Sequence, residues 1–182
     1  MYEKEPAKSY RYNDPQDADL GKILDPRHTA LLMIDMQNDF CDKEGKFAQA
    51  GRDASDVIRI IPRCKELLES ARSANVMVVH IQQSTLPGQQ SDNGGWLAFK
   101  TRDGKAPTYA TVNTWGWEHI DALKPHNDGE DGRYFEPVVL KFRPDGFLYT
   151  QLDLILRANG IESVVCLSLI HISEPTRLDV IS

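Results

Sequence analysis

The sequence is poor in cysteine and lacks any pairing pattern for it. The three cysteines, Cys41, Cys64 and Cys166, are widely spaced, and none belongs to a Cys-x-x-Cys motif. A disulfide framework or a structural zinc site needs paired spacings, so this pattern argues against both. A reducing cytoplasm is the expected location.

Long apolar runs are also missing. No stretch approaches the roughly 18 apolar residues of a membrane span. Residues 1–19 are charged and aromatic, without the apolar centre of a signal peptide. We therefore expect a soluble protein that is neither exported nor inserted in a membrane.

The chain has no excess of basic residues. It carries 21 Lys and Arg against 27 Asp and Glu, for a net charge of −6, and the two signs are interspersed. Binding to nucleic acid or to an anionic membrane surface would favour a basic patch. Neither is expected as a partner.

Apolar runs alternate with amphipathic stretches, which predicts an α/β fold. The apolar runs, each typical of a buried strand, are residues 30–34, 76–81, 137–140 and 161–166. Between the first two, residues 55–73 space apolar side chains by three and four, which predicts a helix capped by Ser55. A shorter helix is predicted over residues 149–158. At 182 residues the chain suits one domain.

Two long segments lack this periodicity. Residues 1–28 are interpreted as an arm over the domain or a neighbouring subunit, anchored by Tyr10 and Tyr12. Residues 82–113 contain several turn signals, including Asn93-Gly94-Gly95, and their aromatic residues favour a lid or a subunit contact. Thr114 is predicted to cap a short helix that extends to Leu123.

Two of the predicted strands end in opposite charges. The first run ends at Asp35 and the third at Lys141. Asp35 could be a helix cap or a partner for a nearby cation, or it could be a general base at the carboxyl edge of the sheet, where α/β proteins bind ligands. Lys141 could close a structural salt bridge with it, or orient a substrate. No Gly-rich phosphate loop follows the first strand, which disfavours a flavodoxin-like nucleotide binder.

The chain resembles the isochorismatase-like cysteine hydrolases. The resemblance lies in ALLMIDMQNDF over residues 30–40, LKFRPDGFLYTQL over 140–152 and NGI over 159–161, with their order and spacing intact. It implies a three-layer α/β/α sandwich around a mostly parallel, Rossmann-like sheet, and a homo-oligomer when the chain is intact. No cofactor is expected.

The resemblance also implies an Asp-Lys-Cys triad. Asp35 would take the thiol proton, and Lys141 would hold the site geometry and stabilise developing charge. The thiolate would attack a carboxamide or ureido carbonyl, expel ammonia or an amine, and leave a thioester that water cleaves. This route divides one hydrolysis into two easier steps. The resemblance thus implies a small amide or ureido compound as the substrate.

Within the family, the aromatic lid and the segment around Trp115 are most similar to ureidoacrylate and biuret amidohydrolases and N-carbamoylsarcosine amidase. Gln37, Asn38, Phe40 and Trp115 are the predicted substrate-binding residues, and the loop after the first strand would form a wall of the site. Nicotinamidases of this family bind a metal through Asp and His. No comparable cluster follows His80, which we interpret as a hydrogen-bonded residue at a strand end, and we predict no metal.

The sequence departs from the family after the fourth strand. The resemblance places the nucleophilic cysteine near position 174, at the start of a helix, but Glu174 is followed by Pro175, which interrupts a helix. Cys41 lies on the loop after Asp35, Cys64 in the middle of a helix and Cys166 in a strand. None has the turn-plus-helix setting that activates a thiol, so the nucleophile is expected to be missing.

The string LSLIHISEPTR over residues 167–177 resembles a translated sequencing adapter. We therefore expect three parts: an arm over 1–28, a C-terminally truncated hydrolase domain over 29–166, and a non-native tail over 167–182. Such a chain should be inactive. The alternative is a non-catalytic domain of the same fold that binds a small ligand or a subunit, with Asp35 and Lys141 as a salt bridge.

Overall fold

A computed structural model provides the fold and describes residues 19–101, 108–127 and 135–169. Tyr10 and Tyr12 of the predicted arm lie outside these ranges, and so does Glu174 of the predicted tail. The first described element is a short helix, α1 (Leu20–Ile23), within the segment interpreted as an arm.

The described strands form one parallel sheet, as predicted. They are β1 (Thr29–Ile34), β2 (Met77–Gln83), β3 (Val138–Lys141) and β4 (Ser163–Ser168). Their order is β3-β2-β1-β4, and every pairing is parallel. β4 extends to Leu167 and Ser168, two residues that sequence analysis assigned to the non-native tail.

Helices cover both faces of the sheet, which makes the predicted three-layer sandwich. Side chains alternate along β1, so Leu31 packs in a core with Leu68 of helix α4 (Ser55–Ser73). Leu32 faces the other side and packs in a core with Leu156 of helix α6 (Leu152–Ala158). The continuous apolar run of β1 is thus buried on both faces, as is typical of a central parallel strand.

The predicted helix limits need two corrections. Ser55 is the first residue of α4 rather than its cap, and its amide donates to the Asp53 carboxylate at 2.8 Å. Helix α6 begins at Leu152, not at Tyr149, because Tyr149 adopts a left-handed φ of 58° and Thr150 Oγ1 accepts the Leu152 amide at 3.2 Å.

The segment predicted to be a lid contains regular structure. Its helix α5 (Gly94–Thr101) begins after Asn93, whose side-chain oxygen accepts the Trp96 amide at 2.8 Å. Sequence analysis interpreted Asn93 only as a turn residue, although asparagine is also a preferred helix cap.

The prediction of one helix from Thr114 to Leu123 is wrong. Two 3₁₀ turns, Trp115–Trp117 and Asp121–Leu123, replace it. The remaining short elements are α2 (Asn38–Cys41), α3 (Lys46–Gln49) and a 3₁₀ turn at Pro87–Gln89. Within the described ranges, no helix has the length and apolar character needed to span a membrane.

Candidate active site

Asp35 lies at the carboxyl end of β1, where the chain turns sharply. Its backbone has a φ of 61°, and its amide donates to the Ile81 carbonyl of β2 at 2.9 Å. A left-handed conformation is strained for a residue other than glycine, although aspartate tolerates it better than most residues. The conformation ends the strand and presents a carboxylate at the edge of the sheet.

Lys141, the last residue of β3, pairs with Asp35 across the end of β2. Its Nζ lies 2.9 Å from Asp35 Oδ2 and donates also to the Pro144 carbonyl at 3.1 Å. The two side chains are only 3% and 6% exposed. Asp35 Oδ1 is buried, and no described group bonds to it. This carboxylate therefore has an oxygen left with which to accept a proton or a hydrogen bond.

Burial raises the pKa of the Asp35 carboxyl above its ordinary value, and the nearby Lys141 ammonium offsets part of that effect. A raised pKa makes the carboxylate a stronger proton acceptor than an exposed aspartate. The electrostatics of the pair therefore suit proton transfer.

A cavity of about 540 Å³ opens beside this ion pair. Its walls combine charged groups with aromatic rings, as is common for small-molecule sites. The lining residues are Asp35, Phe40, Phe47, Arg52, Asp53, Ala54, Val57, Gln83, Trp96, Phe99, Lys100, Tyr109, Lys141, Pro144 and Leu169.

The four predicted substrate-binding residues occupy different settings. Phe40 lines the cavity, while Gln37, Asn38 and Trp115 are not among its lining residues. The Asn38 side chain donates to the Trp115 carbonyl at 2.7 Å, and the Trp115 side chain is half exposed. Of the four, Phe40 has the position that substrate contact requires.

Gln37 is fully buried and joins three segments of backbone. Its side-chain amide donates to the carbonyls of Gln83 and Trp117 at 3.0 and 2.7 Å, and its oxygen accepts the Gln83 amide at 2.9 Å. These bonds hold the loop after β1 against the end of β2. Gln37 thus positions Gln83, which does line the cavity.

Sequence analysis did not assign Gln83, Phe47, Arg52, Lys100 or Tyr109 to the site. Tyr109 was noted only as a lid aromatic, and Phe47 and Arg52 fall in the loop that was expected to form a wall. Gln83 and Lys100 carried no signal of their own. They reach the cavity only because distant segments fold together around it.

Asp39 organises the loops around the cavity. Its carboxylate accepts the backbone amides of Ala110 at 2.7 Å and Lys46 at 3.1 Å, and Gly116 packs directly against it. A Cβ atom at position 116 would overlap this carboxylate. The glycine is therefore required by close approach.

We expect Gly116→Ala to lower the free energy of unfolding by about 2 kcal/mol, as is typical when a packed interior is overfilled. Gly94→Ala is the matched control, because a Cβ at Gly94 meets open space. Urea denaturation of both variants measures the difference. Equal stability of the two variants would contradict the close packing of Gly116 on Asp39.

Two of the cysteines lie where sequence analysis expected them, Cys64 within α4 and Cys166 within β4, whereas Cys41 is the last residue of the short helix α2 rather than a loop residue. Cys41 is buried with its Sγ 4.0 Å from the Asp35 carbonyl oxygen, and burial raises the pKa of its thiol to about 12. Burial also raises the pKa of Cys64 in α4. Cys166 is an exposed residue of β4. None of the three lines the cavity.

His80 is an interior residue of β2 rather than a strand-end residue, and it is hydrogen-bonded as expected. Its Nε2 lies 2.9 Å from Glu136 Oε2, and Arg72 binds the same carboxylate at 2.7 Å. Although burial opposes ionisation, Arg72 and His80 lower the pKa of Glu136 to about 2. No group of three or more His, Cys, Asp or Glu side chains in the described part of the chain could hold a metal ion.

We expect His119 to make the stability of the protein sensitive to acid. Burial, and then the nearby His80, lower its pKa from 6.5 to about 4. The unfolded chain therefore binds more protons between these pH values, and stability falls as the pH drops from 6.5 to 4, by up to about 3 kcal/mol. In His119→Phe, which keeps an aromatic ring against His80, we expect this pH dependence to be largely lost. Urea denaturation at several pH values checks it, and parallel profiles for the two proteins would contradict it.

Comparison with known proteins adds a family match. Residues 29–167 match the sequence profile of a protein family, the isochorismatase domain. The ureidoacrylate amidohydrolase RutB of Caulobacter segnis is 33% identical over 152 residues, which cover 78% of this chain and 61% of that protein. The chain spans about three fifths of the length of the curated relatives it matches first.

Solved structures share the fold. A cysteine hydrolase from Pseudomonas syringae superimposes with a TM-score of 0.62 at 24% identity, covering 79% of this chain and 60% of that one. N-carbamoylsarcosine amidase from Thermoplasma acidophilum does so with a TM-score of 0.55 at 26% identity, covering 76% of this chain and 65% of that one.

Proposed function

The chain belongs to the isochorismatase family, and we propose on that premise that it hydrolyses a C–N bond of a small amide or ureido compound. The buried Asp35–Lys141 ion pair beside an aromatic cavity carries this proposal. A buried ion pair contributes little net stability compared with apolar residues of the same size, so its presence in a cavity wall points to chemistry.

In the proposed reaction, Asp35 takes the proton of a cysteine thiol, and the thiolate attacks the substrate carbonyl carbon. Lys141 keeps the carboxylate in place and stabilises negative charge as it develops. The C–N bond breaks, the nitrogen leaves with the proton from Asp35, and water then cleaves the thioester. Asp35 retains a free oxygen for this exchange, since Lys141 bonds only to Oδ2.

The proposed substrate is a carbamoyl compound of the ureidoacrylate type. Relatives named for ureidoacrylate and N-carbamoylsarcosine support this class. A planar ureido group also suits a cavity lined by Phe40, Phe47 and Tyr109.

We further propose that the working enzyme is a homo-oligomer, which sedimentation velocity would test.

We propose that the nucleophile is a cysteine that this chain lacks. In the active enzyme it would lie in a C-terminal segment that stands in place of the present tail. The buried, high-pKa thiol of Cys41 and the positions of Cys64 and Cys166 outside the cavity lining support this. The chain as given is therefore expected to show no turnover. An extended chain, in which the C-terminal segment of the Caulobacter segnis relative replaces residues 170–182, should acquire it.

Ammonia release from ureidoacrylate, N-carbamoylsarcosine and biuret tests both statements. We expect none above background from the 182-residue chain and measurable release from the extended chain. Release from the 182-residue chain that disappears on Cys41→Ser or Cys166→Ser would place the nucleophile within the present sequence. Binding of these compounds without release by either chain would favour the second candidate, a non-catalytic ligand-binding domain in which Asp35 and Lys141 form only a salt bridge.

A further inference from the structure

Tyr109 is held in the cavity wall from several sides. Its ring packs edge-on against Phe40 and Phe47, with centroids 5.5 and 5.4 Å away. The Lys100 ammonium lies over the ring, 4.7 Å from its centroid. A ring with these neighbours has little freedom to turn, so its hydroxyl occupies a defined position.

The Tyr109 hydroxyl has unused hydrogen-bonding capacity. It forms no hydrogen bond with any residue that the structure describes, although the residue lines the cavity. Burial, followed by the charges of Asp92 and Asp35, raises its pKa to about 12. At neutral pH it is therefore an uncharged group that can both donate and accept.

Lys100 is fixed by a second buried ion pair. Its Nζ lies 2.7 Å from Asp92 Oδ2, and both side chains are only 1% exposed. Because Asp92 neutralises this cation, Lys100 offers little net attraction to an anionic ligand. Among the charged groups that act on the Tyr109 hydroxyl, the carboxylates of Asp92 and Asp35 each have a larger effect on its pKa than the guanidinium of Arg52. This balance favours a ligand that presents N–H groups to the hydroxyl oxygen.

We propose that the Tyr109 hydroxyl contacts the terminal amide of the substrate's carbamoyl group, and that Lys100 is a positioning residue for the tyrosine ring. The inference rests on the proposed function and deepens it, because it assigns recognition of the carbamoyl NH₂ to a named residue. Tyr109 thus distinguishes a carbamoyl group from an acyl group of the same shape.

Calorimetric titration of the full 182-residue chain tests this with two probes. N-carbamoylglycine carries the terminal NH₂, and N-acetylglycine has a methyl group in its place. Tyr109→Phe is expected to weaken binding of N-carbamoylglycine by about fivefold, the loss expected for one hydrogen bond, and to leave N-acetylglycine unchanged. Tyr149→Phe is the matched control, because Tyr149 is 95% exposed and outside the cavity lining.

The preference for N-carbamoylglycine over N-acetylglycine is the decisive quantity. Tyr109→Phe is a small change, and an unaltered melting temperature shows that it folds. If this variant weakens both probes equally or neither, the assignment of Tyr109 is overturned. Lys100→Met should also reduce this preference for N-carbamoylglycine. Lys100→Arg, which keeps the cation, should retain the preference. An unaltered preference in Lys100→Met would contradict the positioning role of Lys100. If the unmodified chain binds neither probe while the extended chain releases ammonia, the assignment of Tyr109 is overturned. If the extended chain also releases no ammonia, the proposed function itself fails.

Discussion

Asp35→Asn is expected to lower kcat for ammonia release by the extended chain about 10³-fold, with KM changed little. General-base catalysis typically contributes roughly 10²- to 10⁴-fold, and asparagine keeps the shape of the side chain but cannot take a proton. The side-chain oxygen of the new asparagine could still accept from Lys141 Nζ, which lies 2.9 Å from the present carboxylate. The loss would therefore report on proton transfer rather than on the geometry of the loop.

A pH profile sharpens this experiment. Since burial raises the pKa of Asp35, we expect kcat/KM to rise with pH through a value above that of an ordinary aspartate, as the carboxylate loses its proton. In Asp35→Asn this acid limb should disappear. Asp153→Asn, which alters a carboxylate 53% exposed and outside the cavity lining, is the control and should stay within about twofold. Retention of a third or more of the activity by Asp35→Asn would refute a role as base.

Lys141→Met should cost about 3–5 kcal/mol of unfolding free energy at neutral pH, because it leaves the Asp35 carboxylate buried without its cation. Loss of the cation raises the pKa of Asp35 further. The folded state then prefers the protonated form, so stability falls as pH rises from the ordinary aspartate pKa through the raised one. The cost should shrink in acid. Denaturation by urea at several pH values measures it.

The double variant Asp35→Asn with Lys141→Met separates the pair from its parts. Without a buried charge on either side, it should be more stable than Lys141→Met alone. Arg59→Met is the control, because Arg59 and Asp56 form a pair at 2.8 Å with side chains 76% and 66% exposed, and its loss should cost less than about 1 kcal/mol. A similarly small cost for Lys141→Met would show that Asp35 does not need its partner.

The fold was predictable because its main elements have short-range signals. The apolar runs that became β1 and β2 and the three-and-four spacing of α4 depend only on neighbouring residues. Helix α5 was not predicted from the sequence, because its first residues, Gly94 and Gly95, also signal a turn. The 3₁₀ turn at Trp115–Trp117 was not predicted, because its backbone is held by Gln37 and Asn38, which lie far away in the chain.

Sequence alone determined that Asp35 and Lys141 end two buried strands, because each charge follows an apolar run and parallel strands end at one edge of the sheet. Only the tertiary structure decided that they form one ion pair across the end of β2, since strand order depends on how distant segments pack. It also decided that Gln37 braces the backbone while Tyr109 faces the cavity. A side chain's role follows from the groups that bury it, and those groups come from elsewhere in the chain.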